Sequence, residues 1–345
     1  MSDILGIIAT AMKDSNYDKE VHDSVSKASP VWARVMAKPA KKAYGNNITW
    51  TAGVGQSGKI MSGDPGWVVP MGLTKNQVQA SIAIKRILQP VMLSKTIANN
   101  NNAAGGDALY DYINGEIMTA LNELGQHLGA SLYSNGAQLV NAQGGALPQL
   151  DGLAAATVRD GTYAGISPAN YPGWNGVGVN VMSTTGGTHI GLTFSGSAPT
   201  YANLTTASSV FYLPKIIDLA CKACTPTNPG PNLITLDAMY HSLLHQLMID
   251  KQQIVKDSWG FDSFTYAGKE CVFDPLQPAG SIGIWTIPKL GISQVPGSSV
   301  RMGQGDLEKI PGTDFLFGQA GFEGNVQFLE RRKFGRIYNL PTVWS

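Results

Sequence analysis

The stretch that decides the fold is DALYDYINGEIMTALNELGQHLGASLYSN, which runs from Asp107 to Asn135. Asp107 follows two glycines and can cap the first turn of a helix, and Asn135-Gly136 offers a left-handed stop at its far end. A helix over 107–135 would be roughly 40 Å long and would serve as a spine for the rest of the chain. The apolar residues that recur on one helical face are Leu109, Ile113, Ile117, Leu121, Leu124, Leu128 and Leu132.

Composition sets limits on the function. The chain has 345 residues, which is enough for a sizeable core and for more than one domain. Only 14% of the residues are charged, and 25 basic residues balance 24 acidic ones. This balance argues against electrostatic binding to nucleic acid or to an anionic membrane. The 40 glycines exceed ordinary usage and suit a surface that neighbouring subunits largely cover.

The cysteines and the apolar runs indicate where the protein is made. Three cysteines, Cys221, Cys224 and Cys271, disfavour a disulfide framework and favour a reducing compartment. The first residues lack the basic region and the cleavage site of a secretory signal. No apolar run approaches the roughly 20 residues that a membrane span needs. We expect a soluble protein that is made in a cytoplasm.

The region before the spine helix is predicted to hold an arm and a long hairpin. Residues 1–41 are polar apart from a short apolar stripe and could not fold alone, so they are expected to lie along other surfaces. Residues 42–95 are predicted to form a β-hairpin, with Asn47–Ala52 as one strand and Gln79–Val91 as the return strand. The glycine-rich connection between the strands is longer than compact domains usually contain.

Four residues of this hairpin are the candidate contacts between subunits. Trp50 and Trp67 are expected to be exposed, and large exposed apolar side chains usually mark a binding surface. Lys59 near the tip and Arg86 on the return strand are the charged candidates. The hairpin is therefore expected to rest on another copy of the chain.

The rest of the chain mixes short helices and strands, which predicts the α+β class. Pro214 is expected in the first turn of a helix that carries Cys221 and Cys224, and Asp237 is expected to cap a second helix. The predicted strands are Val177–Met182, His189–Phe194, Leu233–Leu236, Phe264–Tyr266, Glu270–Phe273, Ser281–Ile287 and Val326–Ile337.

One stretch imitates a nucleotide-binding motif. Gly53-x-x-x-x-Gly58-Lys59 nearly matches a phosphate-binding loop, and Gly53-x-Gly55-x-x-Gly58 matches a dinucleotide fingerprint. Both motifs need a helix after the loop, whereas Ile60 begins a segment that contains Gly, Asp and Pro. Ile60 also stands where a Ser or Thr would hold magnesium. We favour a hairpin tip and keep a nucleotide-binding enzyme as an alternative.

Metal and catalytic patterns are similarly weak. Cys221-x-x-Cys224 with His241-x-x-x-His245 resembles a four-ligand zinc pattern, but the gap between the pairs exceeds the usual spacing. Core or partly exposed positions are the preferred interpretation of all four residues, and metal binding stays open. No nucleophile elbow or zinc-protease motif occurs, so we assign no catalytic residue and no cofactor. The scattered acids Asp262, Asp274, Glu323 and Glu330 are interpreted as turn or surface charges.

The order of parts and several local stretches carry a resemblance. Trp259–Gly268 leads into Cys271–Pro275 and Pro278–Gly280, Tyr171–Trp174 precedes the middle helices, and Arg331–Gly335 lies near the end. Together with the arm, hairpin, spine helix, α/β middle and returning strands, they resemble the major capsid proteins of tailed double-stranded DNA bacteriophages, which have the Hong Kong 97-type fold. The resemblance covers nearly the whole chain and rests on order and spacing.

The resemblance implies a domain plan and a role. It implies a non-enzymatic structural subunit that assembles into pentamers and hexamers of an icosahedral head enclosing double-stranded DNA. The extended loop would lie over a neighbouring subunit. The implied parts are an arm at 1–41, an extended loop at 42–95, a peripheral domain at 96–139 with its spine helix at 107–135, an axial domain at 140–265, and strands at 266–345 that return to the peripheral domain.

The same resemblance implies the partners. They are further copies of the chain, a portal, DNA bound without sequence specificity and, as in some relatives, a decoration protein, with no membrane. Either a separate scaffolding protein or none is expected, because the arm leaves no room for a cleaved scaffold domain. Location in the virion and synthesis in a bacterial cytoplasm follow. Some relatives crosslink a hairpin lysine to an asparagine of a neighbouring subunit. Lys59 and Asn325 are the candidates for such a crosslink here, and the sequence leaves its formation open. A further alternative is another β-rich virion, tail or adhesin protein.

Overall fold

The computed structural model describes residues 29–38, 41–54, 77–94, 96, 106–140, 145–248, 253–254, 263–295, 301–302, 308–309 and 315–343. The helices are α1 (Pro30–Met36), α2 (Gly106–Ser131), α3 (Leu153–Thr157), α4 (Tyr201–Thr205), α5 (Leu213–Ala223) and α6 (Ala238–Leu247). The strands before residue 200 are β1 (Lys41–Lys42), β2 (Asn47–Gly53), β3 (Gln77–Ala83), β4 (Lys85–Ser94), β5 (Leu139–Val140), β6 (Ala146–Leu147) and β7 (Val177–Asn180). The later strands are β8 (Leu233–Leu236), β9 (Gln253–Ile254), β10 (Ser263–Tyr266), β11 (Lys269–Phe273), β12 (Ile282–Trp285), β13 (Leu290–Gln294), β14 (Arg301–Met302), β15 (Glu308–Lys309), β16 (Phe315–Phe328) and β17 (Gly335–Tyr338).

The predicted spine helix is present as α2. It has 26 residues and is therefore about 39 Å long. Its apolar stripe is buried, as predicted, at Leu121, Leu124 and Leu128. The helix ends four residues before the predicted stop, because the backbone tightens into i→i+3 hydrogen bonds after Ser131. Gly136 does adopt the predicted left-handed conformation, with φ of +77°.

The spine helix packs on one face of a mixed sheet. Strand β16 is at its centre, with β13, β14 and β15 along one edge and β4 along the other. Strands β4 and β16 are antiparallel over ten residue pairs, from Lys85↔Gly324 to Ser94↔Phe315. Inward residues of β4 such as Ile87 and Leu93 join the helix stripe in one hydrophobic core.

A second mixed sheet has its own core. Its strand order is β7-β17-β12-β8-β11-β10-β9 in the part of the chain that is described. Helices α5 and α6 contribute their apolar faces to this core. The predicted helix starts are confirmed: Pro214 lies in the first turn of α5, and Asp237 caps α6 by accepting a hydrogen bond of 2.8 Å from the Tyr240 amide.

Three predicted strands are wrong. The single return strand predicted over Gln79–Val91 is two strands, because β3 ends at Ala83 and β4 begins at Lys85 and pairs with β16 in a different sheet. The prediction of one strand over Val326–Ile337 fails because a 3₁₀ turn at Arg331–Lys333 divides it, so β16 and β17 enter different sheets. The prediction of a strand over His189–Phe194 fails because Thr188–Ile190 forms a 3₁₀ turn that ends at Gly191 with φ of +76°. The charged run Glu330–Lys333 marks the first turn in the sequence, and glycines flank the second turn at 186, 187 and 191.

Two predicted boundaries also differ from the structure. The boundary at 265/266 does not separate the two sheets, because β10 and β11 form one hairpin in the second sheet and β17 joins them there. The described part of the predicted arm contains α1, which is a core element with a fully buried Trp32 rather than a peripheral strap. Residues 1–28 lie outside the described residues.

Candidate assembly surfaces

The base of the predicted hairpin is a ribbon of β2 and β3. The strands are antiparallel from Asn47↔Ala83 to Gly53↔Gln77, which confirms the hairpin pairing. Side chains alternate, so Ile48 and Ile82 face the core of the same chain, whereas the outward side chains are polar and uncharged. The outward residues include Thr49, Thr51, Gln77 and Gln79. The ribbon base is therefore anchored on its own subunit.

The predicted exposure of Trp50 is wrong. Only 8% of Trp50 is accessible, because its position in β2 directs the ring into the core that contains the spine helix. A contact of Trp50 with a neighbouring subunit stays a prediction. Lys59 and Trp67 lie outside the described residues. The ribbon argues against the nucleotide-binding alternative. β2 pairs directly with the next described strand, whereas a phosphate-binding loop connects its strand to a helix.

The fourth candidate, Arg86, lies on the outward face of β4. It is 62% exposed, and its Nε donates to Glu323 Oε1 at 2.6 Å across the β4–β16 pair. Leu88 and Met92 follow on the same face and are 40% and 50% exposed, with exposed Pro90 between them. We call Leu88, Pro90 and Met92 the β4 stripe. Sequence reasoning missed this stripe, although the alternation in Gln79–Val91 contains its signal.

The β4 stripe lies on the sheet face opposite the spine helix. The inward face of β4 contacts α2, where Gln89 Nε2 donates to Glu123 Oε2 at 2.6 Å. An apolar stripe on an edge strand is the kind of surface that proteins usually cover with another element or with a partner. In the described part of the chain the stripe is accessible, so it is available to a neighbouring molecule.

Asn325 is not available for a crosslink to a neighbour in the folded subunit. Its side chain is fully buried, and its Nδ2 donates to Ala83 O at 2.9 Å and to Asp151 Oδ2 at 2.7 Å. Its Oδ1 accepts from the backbone amides of Asp151 and Val326. The amide therefore joins β16, β3 and the segment after the spine helix, and the Lys59–Asn325 pair is excluded as a crosslink in this fold.

A buried carboxylate joins three distant parts of the chain. Asp274 Oδ2 accepts hydrogen bonds from Ser29 Oγ at 2.6 Å and from Tyr133 Oη at 2.5 Å, and its Oδ1 accepts from the Leu276 amide at 2.9 Å. Burial raises the pKa of Asp274, and these three neutral donors oppose the rise. The interpretation of Asp274 as a turn residue is confirmed, because its carbonyl oxygen accepts from the Gln277 amide, whereas a surface position is wrong, because the side chain is buried. The carboxylate connects α1, the end of the spine helix and β11.

Arg331 also links distant parts of the chain, through hydrogen bonds to backbone carbonyl groups. Its guanidinium is fully buried at the start of the turn between β16 and β17. Burial lowers the pKa of Arg331 to about 10, so it stays charged at neutral pH. The carbonyl oxygens that accept its hydrogen bonds are those of Ala156, Val158, Gly161 and Trp174. Arg331 thereby fixes the segment 156–174 against the first core.

The cysteines occupy core positions, and the histidines are partly buried. Burial raises the pKa of the Cys221 thiol to about 12, and Cys224 is buried beside it. His241 lies tilted against the ring of Phe264, and His245 contacts the same ring edge-on. Among the described residues, no three His, Cys, Asp or Glu side chains are grouped to hold a metal ion. In the same part of the chain, no helix has the length and apolarity to span a membrane.

Comparisons of sequence find no relative. No protein-family model matches the chain, and no curated protein sequence matches it.

Comparisons of structure find extensive likeness. A chain of the cyanophage A-1(L) capsid asymmetric unit matches with a TM-score of 0.57 and 17% identity, covering 88% of this chain and 90% of that chain. The holo-SrpI encapsulin complex from Synechococcus elongatus PCC 7942 matches with a TM-score of 0.52 and 11% identity, over 92% and 90% of the two chains. A chain of the satellite phage P4 procapsid matches with a TM-score of 0.51 and 10% identity, over 94% and 99%. These likenesses confirm the predicted fold, which is α+β with the Hong Kong 97-type arrangement.

Proposed function

We propose that this chain, which has the fold of tailed-phage capsid proteins, is the major structural subunit of a phage head. The observation that carries the proposal is the likeness to a cyanophage capsid chain over 88% of the residues. A likeness over 88% of this chain and 90% of the other extends far beyond one common motif. We further propose that the subunit is not an enzyme and works by assembling with its own copies.

The exposed features of the subunit support assembly. The β4 stripe offers an apolar surface beside the exposed Arg86. Closed shells need contacts that repeat around an axis, so each subunit must present complementary surfaces to its neighbours. We propose pentamers and hexamers that enclose double-stranded DNA, with a separate scaffolding protein and a portal as partners. A decoration protein would bind the outside of such a shell.

The first test is negative-stain electron microscopy of the purified full chain, with and without the candidate scaffolding protein from the same genome. We expect uniform shells, or rings of five or six copies, because the fold is otherwise found in capsid and encapsulin chains. A chain that remains monomeric under both conditions, at concentrations where sedimentation would detect rings, contradicts the proposal.

A second variant tests the hairpin itself. Replacing residues 55–76 by Asn-Gly leaves a three-residue loop after Gly53, with glycine at the position that favours a left-handed conformation. We expect this variant to unfold cooperatively like the intact chain but to form no closed particles, because it lacks Lys59 and Trp67. Electron microscopy and thermal unfolding measure the two properties.

A matched control separates contacts from chain length. A Gly-Ser segment that replaces 55–76 at equal length keeps the connection and removes the side chains. If both variants fold and neither closes shells, side-chain contacts of the tip are required. Normal shells from the Asn-Gly variant would contradict the role of the hairpin and leave the shell proposal standing.

The likeness to an encapsulin chain supports a second candidate, a shell that is not a virus. The two candidates predict the same particles from the recombinant protein. They differ in the native particle, which contains double-stranded DNA and a portal only in a phage head. Nucleic-acid staining and nuclease treatment of native particles therefore distinguish them.

A further inference from the structure

Arg336 lies in a groove that contains no acidic side chain. Two adjoining cavities of about 430 Å³ and 340 Å³ share the residues Tyr133, Arg336 and Tyr338 in their walls. The larger cavity is also bounded by residues 278–281 and 339–342. We call the two cavities the Arg336 groove. None of the described residues that line it is an Asp or a Glu, so Arg336 is the charged group of its wall.

The guanidinium of Arg336 is incompletely satisfied. Its central carbon lies 4.4 Å from the centre of the Tyr338 ring, which is a cation–π contact. Its Nε is buried and has no hydrogen-bond partner among the described residues. Burial also lowers the pKa of Arg336, as expected for a cation removed from water. A buried donor without a partner is costly, and the group that best satisfies a guanidinium is a carboxylate, which can accept two parallel hydrogen bonds.

The described chain begins beside this groove. Ser29 donates to the same Asp274 oxygen as Tyr133, and Tyr133 lines both cavities. Residues 1–28 precede Ser29, and an extended chain covers about 3.3 Å per residue, so this segment has ample reach. Ser29, the residue that follows this segment, therefore lies next to a side chain that lines both cavities.

The charge of the segment complements the groove. Residues 1–28 contain five acidic residues and three lysines, whereas the whole chain has a formal charge of +1. Several of the acids stand near apolar residues, as in Asp3-Ile4-Leu5 and Glu20-Val21. The groove has matching surfaces, because Leu340 and Pro341 lie in the same wall as Arg336.

We propose that residues 1–28 of this chain dock in the Arg336 groove, with the carboxylate of one of their acidic residues on the Arg336 guanidinium. The inference goes beyond the shell proposal, because a single chain or a pair of chains can make this contact without forming a shell. The segment would then occupy a specific binding site that accepts a carboxylate and has apolar walls.

The test is site-specific photo-crosslinking in the full-length protein. A photoreactive residue replaces Thr342, which is exposed and lines the groove, and a second variant carries it at Lys222, which is exposed and does not line it. After irradiation, mass spectrometry of the digested protein identifies the crosslinked peptides. We expect crosslinks from position 342 to peptides of residues 1–28 and none to them from position 222. Crosslinks from position 342 to other segments only would overturn the proposal.

Variants of the arginine test the charge. Arg336→Met in the Thr342 crosslinking background should lower the yield of these crosslinks at least fivefold, whereas Arg336→Lys should retain most of it. An unchanged yield in Arg336→Met would show that the guanidinium does not hold the segment. Mixing isotopically light and heavy protein identifies whether the segment comes from the same chain or from a second copy.

Variants of the segment complete the test. Converting all five acids to their amides (Asp3→Asn, Asp14→Asn, Asp18→Asn, Glu20→Gln and Asp23→Asn) should lower the yield as Arg336→Met does. Converting Lys13, Lys19 and Lys27 to glutamine changes the same segment and should leave the yield within twofold. Equal loss in both sets contradicts a carboxylate site. Because the readout needs no shell, its failure is distinguishable from failure of the assembly proposal.

Discussion

Two arginines five positions apart have opposite surroundings. Arg331 is fully buried, and its guanidinium donates to four backbone carbonyl groups of the segment 156–174. Arg336 is partly accessible in a groove, and its buried Nε has no partner in the described part of the chain. Burial lowers the pKa of both groups. Both guanidinium groups therefore bear a desolvation cost. Four carbonyl groups offset it at Arg331, whereas the Tyr338 ring is the contact that offsets it at Arg336 among the described residues.

The difference separates a completed part of the fold from a surface prepared for another segment. A cation whose donors are all met by its own chain holds loops in place and has no capacity left for a ligand. A cation that has an unpaired hydrogen-bond donor beside a cavity can still form a favourable contact with another group. The same distinction separates the inward face of β2, which is packed into the core, from the β4 stripe, which is exposed.

The largest expected effect comes from replacing the two arginines by methionine, a residue of similar length without donors. Arg331→Met leaves four buried carbonyl groups without their donor, and we expect a loss of about 3 to 5 kcal/mol in the free energy of unfolding. Arg336→Met removes the cation–π contact with Tyr338 and the carboxylate contact proposed for residues 1–28, and we expect a smaller loss of about 1 kcal/mol. Urea denaturation of both variants measures the two values.

Lysine variants sharpen this comparison. Lysine keeps the charge but presents its donors from one point, so it cannot reach four carbonyl groups that surround a planar guanidinium. Arg331→Lys should therefore lose nearly as much stability as Arg331→Met. Equal losses in Arg331→Met and Arg336→Met would show that the two regions are held in the same way, and the comparison would fail.

The next largest effect on the free energy of unfolding is expected at a buried acidic residue, Asp274. Asp274 is satisfied by neutral donors alone among the described residues, and Asp274→Asn replaces one accepting oxygen by a donating amide. Because this amide opposes the hydroxyl donors, we expect a loss of about 1 to 3 kcal/mol in the free energy of unfolding near pH 4. Urea denaturation at a series of pH values measures it.

The pH dependence has a definite sign. Burial raises the pKa of Asp274 in the folded protein, so the folded state binds the proton more tightly than the unfolded state. The contribution of Asp274 is therefore fully present below its unfolded pKa and declines as pH rises through its folded pKa. The advantage of the parent protein over Asp274→Asn should shrink as pH rises from 4 to 7. A growing advantage would mean that the folded state favours the carboxylate, as in a closed ion pair.

The sequence predicts the parts of this fold whose signals are local. The spine helix, the helix starts at Pro214 and Asp237, and the strand Leu233–Leu236 all follow from periodicity or capping over a few residues. These signals are sufficient because neighbouring residues determine helix termini and strand alternation. The fold class follows from the order of such elements, and the structural comparisons confirm it.

The contacts made by the side chains of the candidate site could not be predicted from the sequence. Arg331 contacts residues more than 150 positions away, and Asp274 and Ser29 are separated by 245 positions, so no local pattern marks either pair. The burial of Trp50 depends on which face of β2 meets the core. Alternation defines two faces but does not say which one is inward. Contacts that link distant segments therefore had to come from the structure.

The smallest effect is expected at a third arginine, which is exposed and paired. Arg86 and Glu323 form an ion pair of 2.6 Å with side chains 62% and 29% exposed, so water and salt screen most of their attraction. A double-mutant cycle of Arg86→Gln and Glu323→Gln should give a coupling of about 0.2 to 1 kcal/mol in the free energy of unfolding, decreasing with added salt. Because Arg86 is also a predicted contact between subunits, Arg86→Gln should slow shell assembly, measured by light scattering, more than this small coupling explains. Unchanged assembly would place Arg86 with Arg331 among the arginines that act only within their own subunit, because its ion pair would then be its complete role.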